Sequence, residues 1–587
     1  FSNLAFQFAE VLGGFFKQNI SQKYFNSPNI VYTPASGQAK IIDFGLSTHL
    51  PRETLSRKAP TSMEGTMAYV SPEQTGRMNR AVDYRTDFYS LGVTFYEVLT
   101  GRLPFEEKEP LSLRHSHLAK QARPPHELNP RVPSGLSELV LKLMAKNPED
   151  RYQSAYGLKA DLLECERLWR GGHASQSIKL GLNDVPERFE ISQNLFGRKK
   201  ELDTLLAAFE RARGGAMEVL LVRGHAGMGK SALVNELQVH VAQQNGYFIK
   251  GEYDQFQRDS PYSALVEALR SLVQQVLMQN ATELQYWKYK IQEALGANGQ
   301  LIAKMIPEAG LIIGPQPLLP TLSPIEAQNR FNLTLQNFIS LFAREEHPLT
   351  IFLDDLHWAD VASVTFLQRF LTRSDVHHLL LVGTYREDAM EEGQAFHEAM
   401  KEYVEAGGTP EFVDLSPLTL ADVRQMLVTS LRCDKERATS LAEVVVTKTG
   451  GNPFFVKEFL HSIYVGDLIR FDLRNGVWNW DLPQIQTRQL TDNVADLMAS
   501  KVGQLAPEVR RILQYAACIG NEFDLNLLAV ILDQSDKRTA DLLWHALAAG
   551  LVFPLTETYL LVEQSPEAQP LAVRYSFAHT GIQQAMY

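Results

Sequence analysis

Cysteine is nearly missing from this chain: three occur in 587 residues, Cys165, Cys433 and Cys518, and each stands alone. Such spacing excludes a disulfide framework and a cysteine-built metal site, and it fits the reducing environment of the cytoplasm. Long apolar runs are missing as well. None reaches the roughly 18–20 residues that a bilayer-crossing helix needs, so no membrane span is expected. The apolar opening from Phe1 to Phe16 lacks a basic leading segment and carries Glu10, which argues against a secretory signal. Positive charge is not in excess: Lys and Arg against Asp and Glu give 57 − 68 = −11, so nothing draws in nucleic acid. Low-complexity tracts and short repeats are absent. The first residue is Phe rather than Met, which predicts a piece of a longer protein.

What is present is ordinary globular composition, 45% hydrophobic and 21% charged, over a length that exceeds one hydrophobic core and predicts several domains. Residues 1 to about 165 alternate helix and loop, closing on the helical period Leu162, Leu163, Cys165 and Leu168. The stretch from Arg170 to Ser177 reads as linker, drawn here over 166–194. From 195 to 410, short β-like runs (Val219–Val222, Tyr247–Ile249, Leu349–Leu353 and Leu379–Val382) alternate with amphipathic helices. Apolar strands without period-two alternation, separated by helices, predict an α/β domain with a parallel sheet covered on both faces. Residues 411–500 read as a helical domain and 501–587 as a last domain.

Gly224-His-Ala-Gly-Met-Gly229-Lys230-Ser231 matches the GxxxxGK[ST] pattern in full. It follows the strand Glu218–Val222 and opens a helix predicted over Ala232–Gln243. That order is what the chemistry needs. Gly224, Gly227 and Gly229 let backbone N–H groups converge on phosphates at a helix N-terminus, Lys230 reaches the β/γ-phosphates, and the Ser231 hydroxyl ligates magnesium. The bland alternative is a glycine turn between strand and helix. Farther on, Leu349-Thr-Ile-Phe-Leu-Asp354-Asp355 delivers two carboxylates at a strand's C-terminal end, where ligands sit in open α/β sheets. Asp354 is assigned to the magnesium and Asp355 to polarising the attacking water. A third strand ends in Gly383-Thr-Tyr-Arg386, where Arg386 either senses the γ-phosphate or serves as a surface salt-bridge residue. The expected catalytic set is thus Asp355, Lys230 and Arg386, with ATP or ADP and magnesium as ligands.

These residues resemble a known family. Phe196-Gly-Arg-Lys-Lys-Glu201 before the P-loop, Phe352-Leu-Asp-Asp-Leu-His-Trp-Ala-Asp360 after it, and Gly450-Gly-Asn-Pro-Phe-Phe455 look like the STAND branch of AAA-type signalling ATPases. The resemblance implies that Gly197 and Arg198 lie near the adenine, that Pro453 packs a helical domain against the base, and that a winged-helix domain over 501–587 closes on the nucleotide. Phe577-Ala-His579-Thr-Gly-Ile-Gln-Gln-Ala is similar to a family stretch whose histidine is expected near the β-phosphate, though Thr580 and Gly581 replace its usual Asp-Arg pair. His579 as a plain structural histidine stays open.

The N-terminal block resembles the C-lobe of a Ser/Thr protein kinase. Asp43-Phe44-Gly45, Gly65-Thr66-Met-Ala-Tyr-Val-Ser71-Pro72-Glu73, Asp87-Phe-Tyr-Ser-Leu-Gly92 and Asn147-Pro-Glu-Asp-Arg151-Tyr come in the family's order. The resemblance implies a buried Glu73–Arg151 ion pair, with Asn29 and Asp43 as magnesium ligands. The departures are as telling. Counting back five from Asn29, the catalytic-loop base position is Tyr24, and Gln22 stands for the histidine. A phenol with an unperturbed pKa near 10 accepts no substrate proton at neutral pH. The chain opens on what would be the helix before the catalytic loop, so a glycine-rich loop and a strand lysine are not expected ahead of it. The lobe is therefore expected to be catalytically incomplete and its magnesium site non-functional.

Kinase lobe followed by STAND ATPase looks like the large bacterial, notably cyanobacterial, proteins that join both to a GAF sensor and a histidine kinase. That likeness implies an intracellular signalling protein that slowly hydrolyses ATP, with other signalling proteins or its own GAF and histidine-kinase parts as partners. Oligomerisation is left open. Two alternatives stand beside it: an active Ser/Thr kinase in the full-length parent, regulated by the ATPase domain, and a nucleotide-binding scaffold without turnover.

Overall fold

A computed structural model describes residues 1–587 except 19, 24, 46, 50–66, 77, 79, 108, 174–175, 177, 187, 255–259, 321, 373–375, 388–392, 473–475, 488–501, 504, 556–557, 560–561, 563–571, 579–581 and 584–585. The apolar runs of the central region become five parallel strands: β1 (Met217–Arg223), β2 (Tyr247–Glu252), β3 (Leu349–Asp354), β4 (Leu379–Tyr385) and β5 (Glu411–Asp414). Every residue of β3 and β4 is buried, which is why those strands carry no polar alternation. The sheet order is β2-β3-β4-β1-β5, so β4 stands between the strand that leads into the P-loop and the strand that carries Asp354.

The chain divides into two compact units, one of residues 109–119 and 197–417 and the other of residues 1–108, 120–196 and 418–587. The first holds the five-stranded sheet and one large apolar core. In it, helix Ser263–Leu277 buries Ala264, Leu265, Ala268, Leu269, Leu272, Val273 and Val276, a stripe at helical spacing. Close approach matters at one point: a Cβ added to Gly251 in β2 would lie 1.9 Å from the carbonyl oxygen of Ala264. Backbone meets backbone there, and only glycine fits. The P-loop helix begins at Lys230, two residues before its predicted start, and runs as Lys230–Asn235 and Leu237–Gln243 with an interruption at Glu236. Helix Pro110–Ala119, which the sequence pattern groups with residues 1–165, belongs to this unit; Asn280 Nδ2 donates to Glu109 at 2.9 Å and the Arg114 guanidinium lies 3.3 Å from the Met278 sulfur.

In the other unit, the N-terminal region is built around helix Arg85–Thr100, buried continuously from Arg85 to Tyr96. Helices Ser2–Lys17, Ser134–Leu143 and Ala155–Arg170 and an antiparallel hairpin, Ile30–Thr33 with Gln38–Ile41, complete its described parts. Farther along, helices Leu420–Leu431, Lys435–Thr449 and Pro453–Val465 enclose a second core. It also takes in Trp478 from a hairpin, Ile469–Asp472 with Val477–Trp480, that a helical reading did not anticipate. The last part runs helix Pro507–Ile519, strand Glu522–Asp524, helices Leu525–Leu532 and Asp536–Ala548, then strands Val552–Pro554 and Arg574–Phe577. Its three antiparallel strands are ordered with Arg574–Phe577 in the centre. Among the described residues no helix is long and apolar enough to cross a membrane.

Candidate nucleotide site

Strand β1 ends at Arg223 and the chain turns through 224–229 into the helix that Lys230 opens. Gly227 and Gly229 sit at φ +79° and +85°, the left-handed region that a side chain would oppose. The amides of Gly227 and Gly229 donate to no protein acceptor among the described residues, so this turn presents donors of the kind a phosphate accepts. Lys230 is buried, and its ammonium donates to the carbonyls of Gly224 at 2.9 Å and His225 at 3.1 Å. The lysine thus curls over its own loop, within reach of what the loop would cradle.

Strand β3 brings Asp354 to the same carboxyl edge. Its Oδ1 accepts from the Ser231 hydroxyl at 3.0 Å and from the Thr384 hydroxyl at 2.5 Å, and its Oδ2 pairs with Lys250 Nζ at 2.8 Å. Burial alone would raise this carboxyl, but the charge and hydrogen bond of Lys250, with Thr384 and Ser231, hold it below the usual carboxylate range. Asp355 follows at φ +55°, rare for a residue with a side chain, and its amide donates to Thr384 Oγ1 at 3.0 Å. Burial, then Asp354 and Glu252, push the Asp355 carboxyl up. Two neighbouring carboxylates are thus driven apart by their surroundings, one firmly ionised and the other held back. Ser231 and Asp354 supply hydroxyl and carboxylate oxygens, the hard donors that magnesium takes, so the residues present fit that ion.

Arg198 lies against the loop: its buried guanidinium donates to the Ser416 carbonyl at 2.6 Å and lies 3.5 Å from the Met228 carbonyl. Gly197 precedes it at φ +66°. Arg386 follows the last residue of β4 and is half-buried at the sheet's carboxyl edge. Pro453 opens helix Pro453–Val465 in the other unit, where the Asn452 side chain caps the Phe454 amide at 3.0 Å. His579 lies outside the described residues. Two residues of the site were missed from sequence. Thr384 was readable inside Gly383-Thr-Tyr-Arg386, and Lys250 was readable as the charge that ends the apolar run of β2, but neither belongs to a contiguous motif.

In the N-terminal region the expected ion pair forms. Arg151 Nη1 and Nη2 reach Glu73 Oε1 and Oε2 at 2.6 and 2.7 Å with both side chains buried. Asp87 accepts the backbone amides of Gln22 at 2.9 Å and Lys23 at 2.6 Å. Tyr24 itself, with Gly65 and Thr66, lies outside the described residues. Asn29 ends a short turn capped by Asn26, and Asp43 holds φ +67° while its Oδ1 accepts the Gly45 amide at 3.1 Å.

A glycine turn at a helix start, joined by hydrogen bond to a strand-end carboxylate across an intervening strand, defines a P-loop nucleotide-binding domain. Comparison with known proteins agrees: residues 194–382 match the AAA ATPase domain family and residues 3–163 match the protein kinase domain family. The chain carries both domains. It is 32% identical to a hybrid signal transduction histidine kinase G of Dictyostelium discoideum over 89% of its own length and 18% of that protein's. It is 22% identical to the peroxide stress-activated histidine kinase mak3 of Schizosaccharomyces pombe over 83% of its length and 24% of that protein's. The serine/threonine-protein kinase PknB of Mycobacterium tuberculosis is 38% identical over 23% of this chain and 21% of its own. The chain spans about a fifth of the length of these relatives.

Proposed function

We propose that this chain is a nucleotide-dependent signalling switch of the STAND type that binds ATP with magnesium and hydrolyses it slowly. The observation that carries the reading is the 3.0 Å hydrogen bond between Ser231 and Asp354, which unites the P-loop with the acidic strand end in one site. Ser231 and Asp354 would hold magnesium, which would supply charge neutralisation to the phosphates. Lys230 exchanges its loop carbonyls for phosphate oxygens. Asp355, next to Asp354 but free of the lysine pair, orients and deprotonates the attacking water, and Arg386 senses the γ-phosphate. ATP or ADP would bias the arrangement of flanking domains. The helix–strand–helix–helix–strand–strand order of the last part, with its final strand central, supports reading it as winged-helix-like. Gly197 and Arg198 complete the nucleotide set in this reading. The histidine kinases among the relatives support a signalling role; in this reading it is a cytoplasmic one, with GAF and histidine-kinase parts of a longer protein as partners.

Asp355→Asn should slow hydrolysis at least tenfold while ATP affinity stays nearly unchanged, because its role arises only as water attacks. Steady-state turnover and calorimetry on the same preparation check this. Turnover equal to the parent's would place the base elsewhere.

The kinase-like lobe is proposed to be inactive, since the sequence puts Tyr24 where a catalytic loop carries its base; the amides of Gln22 and Lys23 just before it donate to Asp87. The chain should transfer no phosphate to generic Ser/Thr substrates. A labelled-phosphate signal that survives Lys230→Ala but is lost in Asp43→Ala would overturn that.

A further inference from the structure

Lys250 has no place in the P-loop pattern, yet its ammonium lies 2.8 Å from Asp354 and 3.0 Å from Glu252. Strand register puts it there: Lys250 pairs with Phe352 and Glu252 with Asp354, so all four side chains share one face of the sheet. The ammonium passes 5.3 Å from the Phe352 ring centre on its way to the carboxyl edge. Its side chain is only 14% exposed, and that of Asp354 only 3%. An ammonium so enclosed is not a solvated surface charge; it is held by its partner.

The two oxygens of Asp354 are divided between different tasks. Oδ1 faces the hydroxyls of Ser231 and Thr384, and Oδ2 takes the lysine. The end torsion of an aspartate is soft and nearly two-fold, so without such a partner the carboxylate could turn on its axis. A cation fixed on one oxygen breaks that equivalence. We infer that Lys250 is a positioning residue of the nucleotide site: it orients Asp354 so that Oδ1 is turned to the P-loop serine, and so sets how strongly a divalent cation strengthens nucleotide binding. The inference rests on the ATPase reading above. A competitor for the cation would sit on the oxygen beside Ser231, and Lys250 sits on the other. A mere staple between β2 and β3 would act on stability alone.

Calorimetry of ATP binding to the intact chain, in EDTA and then with rising magnesium, separates these roles. In Lys250→Met the gain in affinity that magnesium confers should shrink by about tenfold or more, the usual cost of losing a partner behind a metal ligand. Affinity in EDTA should fall by a smaller factor than affinity in magnesium does. Lys250→Arg, which can pair with the same oxygen, should restore most of the gain, and it serves as the reporter if the methionine variant fails to fold. Unchanged affinities, or equal losses in EDTA and in magnesium, would reduce Lys250 to a staple. A larger magnesium gain in Lys250→Met would make it a competitor. Either result overturns the inference and leaves the ATPase reading standing. A parent that binds no ATP under either condition would take down both.

Discussion

In the Lys230→Ala chain, calorimetry should find ATP with magnesium bound roughly ten- to hundredfold more weakly than in the parent. A charged hydrogen bond to phosphate contributes on the order of 1.5–3 kcal/mol, which sets that range. The geometry explains why no neighbour replaces it. Lys230 is the residue that opens the helix beyond the glycine turn, and its ammonium is poised on the Gly224 and His225 carbonyls of the same loop. Lys250, the other ammonium nearby, is committed to Asp354 and Glu252. Because Lys230 also holds its own loop, the variant should lose some thermal stability. Lys230→Met, which keeps the apolar stem, separates that packing effect from the loss of the charge. Equal affinity in parent and Lys230→Ala would remove the P-loop assignment.

Arg151→Met should destabilise the N-terminal region by about 3–5 kcal/mol, the usual cost of leaving a buried charge without its partner. Arg151 donates not only to Glu73 but to the carbonyls of Ala145 at 2.8 Å, Arg85 at 3.0 Å and Lys146 at 3.2 Å. Its guanidinium also lies 4.9 Å from the Tyr89 ring centre, and Thr86 donates to Glu73 at 2.8 Å. The arginine therefore ties the turn after Lys146 to the start of helix Arg85–Thr100 and to the Glu73 segment. Amide hydrogen exchange reads this locally in the intact chain, where whole-protein melting would mix several domains. Amides of helix Arg85–Thr100 should exchange a hundredfold or more faster in Arg151→Met. Replacing Glu73 and Arg151 together by apolar residues should cost less than the sum of the two single changes. Exchange within a few-fold of the parent would show that the pair contributes little.

Which parts of this site the sequence made legible follows from how each part is encoded. A phosphate-cradling turn needs consecutive residues in fixed order, so Gly224 to Ser231 announces itself. The strand-end acids are legible for a similar reason: an apolar run must end where Asp354 begins. Their meeting is not local. Ser231 and Asp354 are 123 positions apart, and only the sheet order brings them together. Thr384 and Lys250 join the site through strand register alone, and register leaves no signature in a single stretch. The Glu73–Arg151 pair was legible only through resemblance to kinases, since nothing near either residue demands the other. Helix Pro110–Ala119 falls inside the protein-kinase match of residues 3–163 yet clusters with the sheet-bearing unit, and its Ser116 and His117 are as buried as core residues. Polar letters hid that burial.

The contact at Gly251 bears on how this protein can change over generations. Every amino-acid substitution at that codon adds a Cβ, and the smallest of them would press within 1.9 Å of the Ala264 carbonyl. To relieve it, β2 must retreat from helix Ser263–Leu277, and the residue just before the glycine is Lys250. A lineage altering residue 251 would thereby loosen its hold on Asp354 without touching any residue that meets the nucleotide. The geometry of Asp354 can thus be lost through a position that lies outside every recognisable motif.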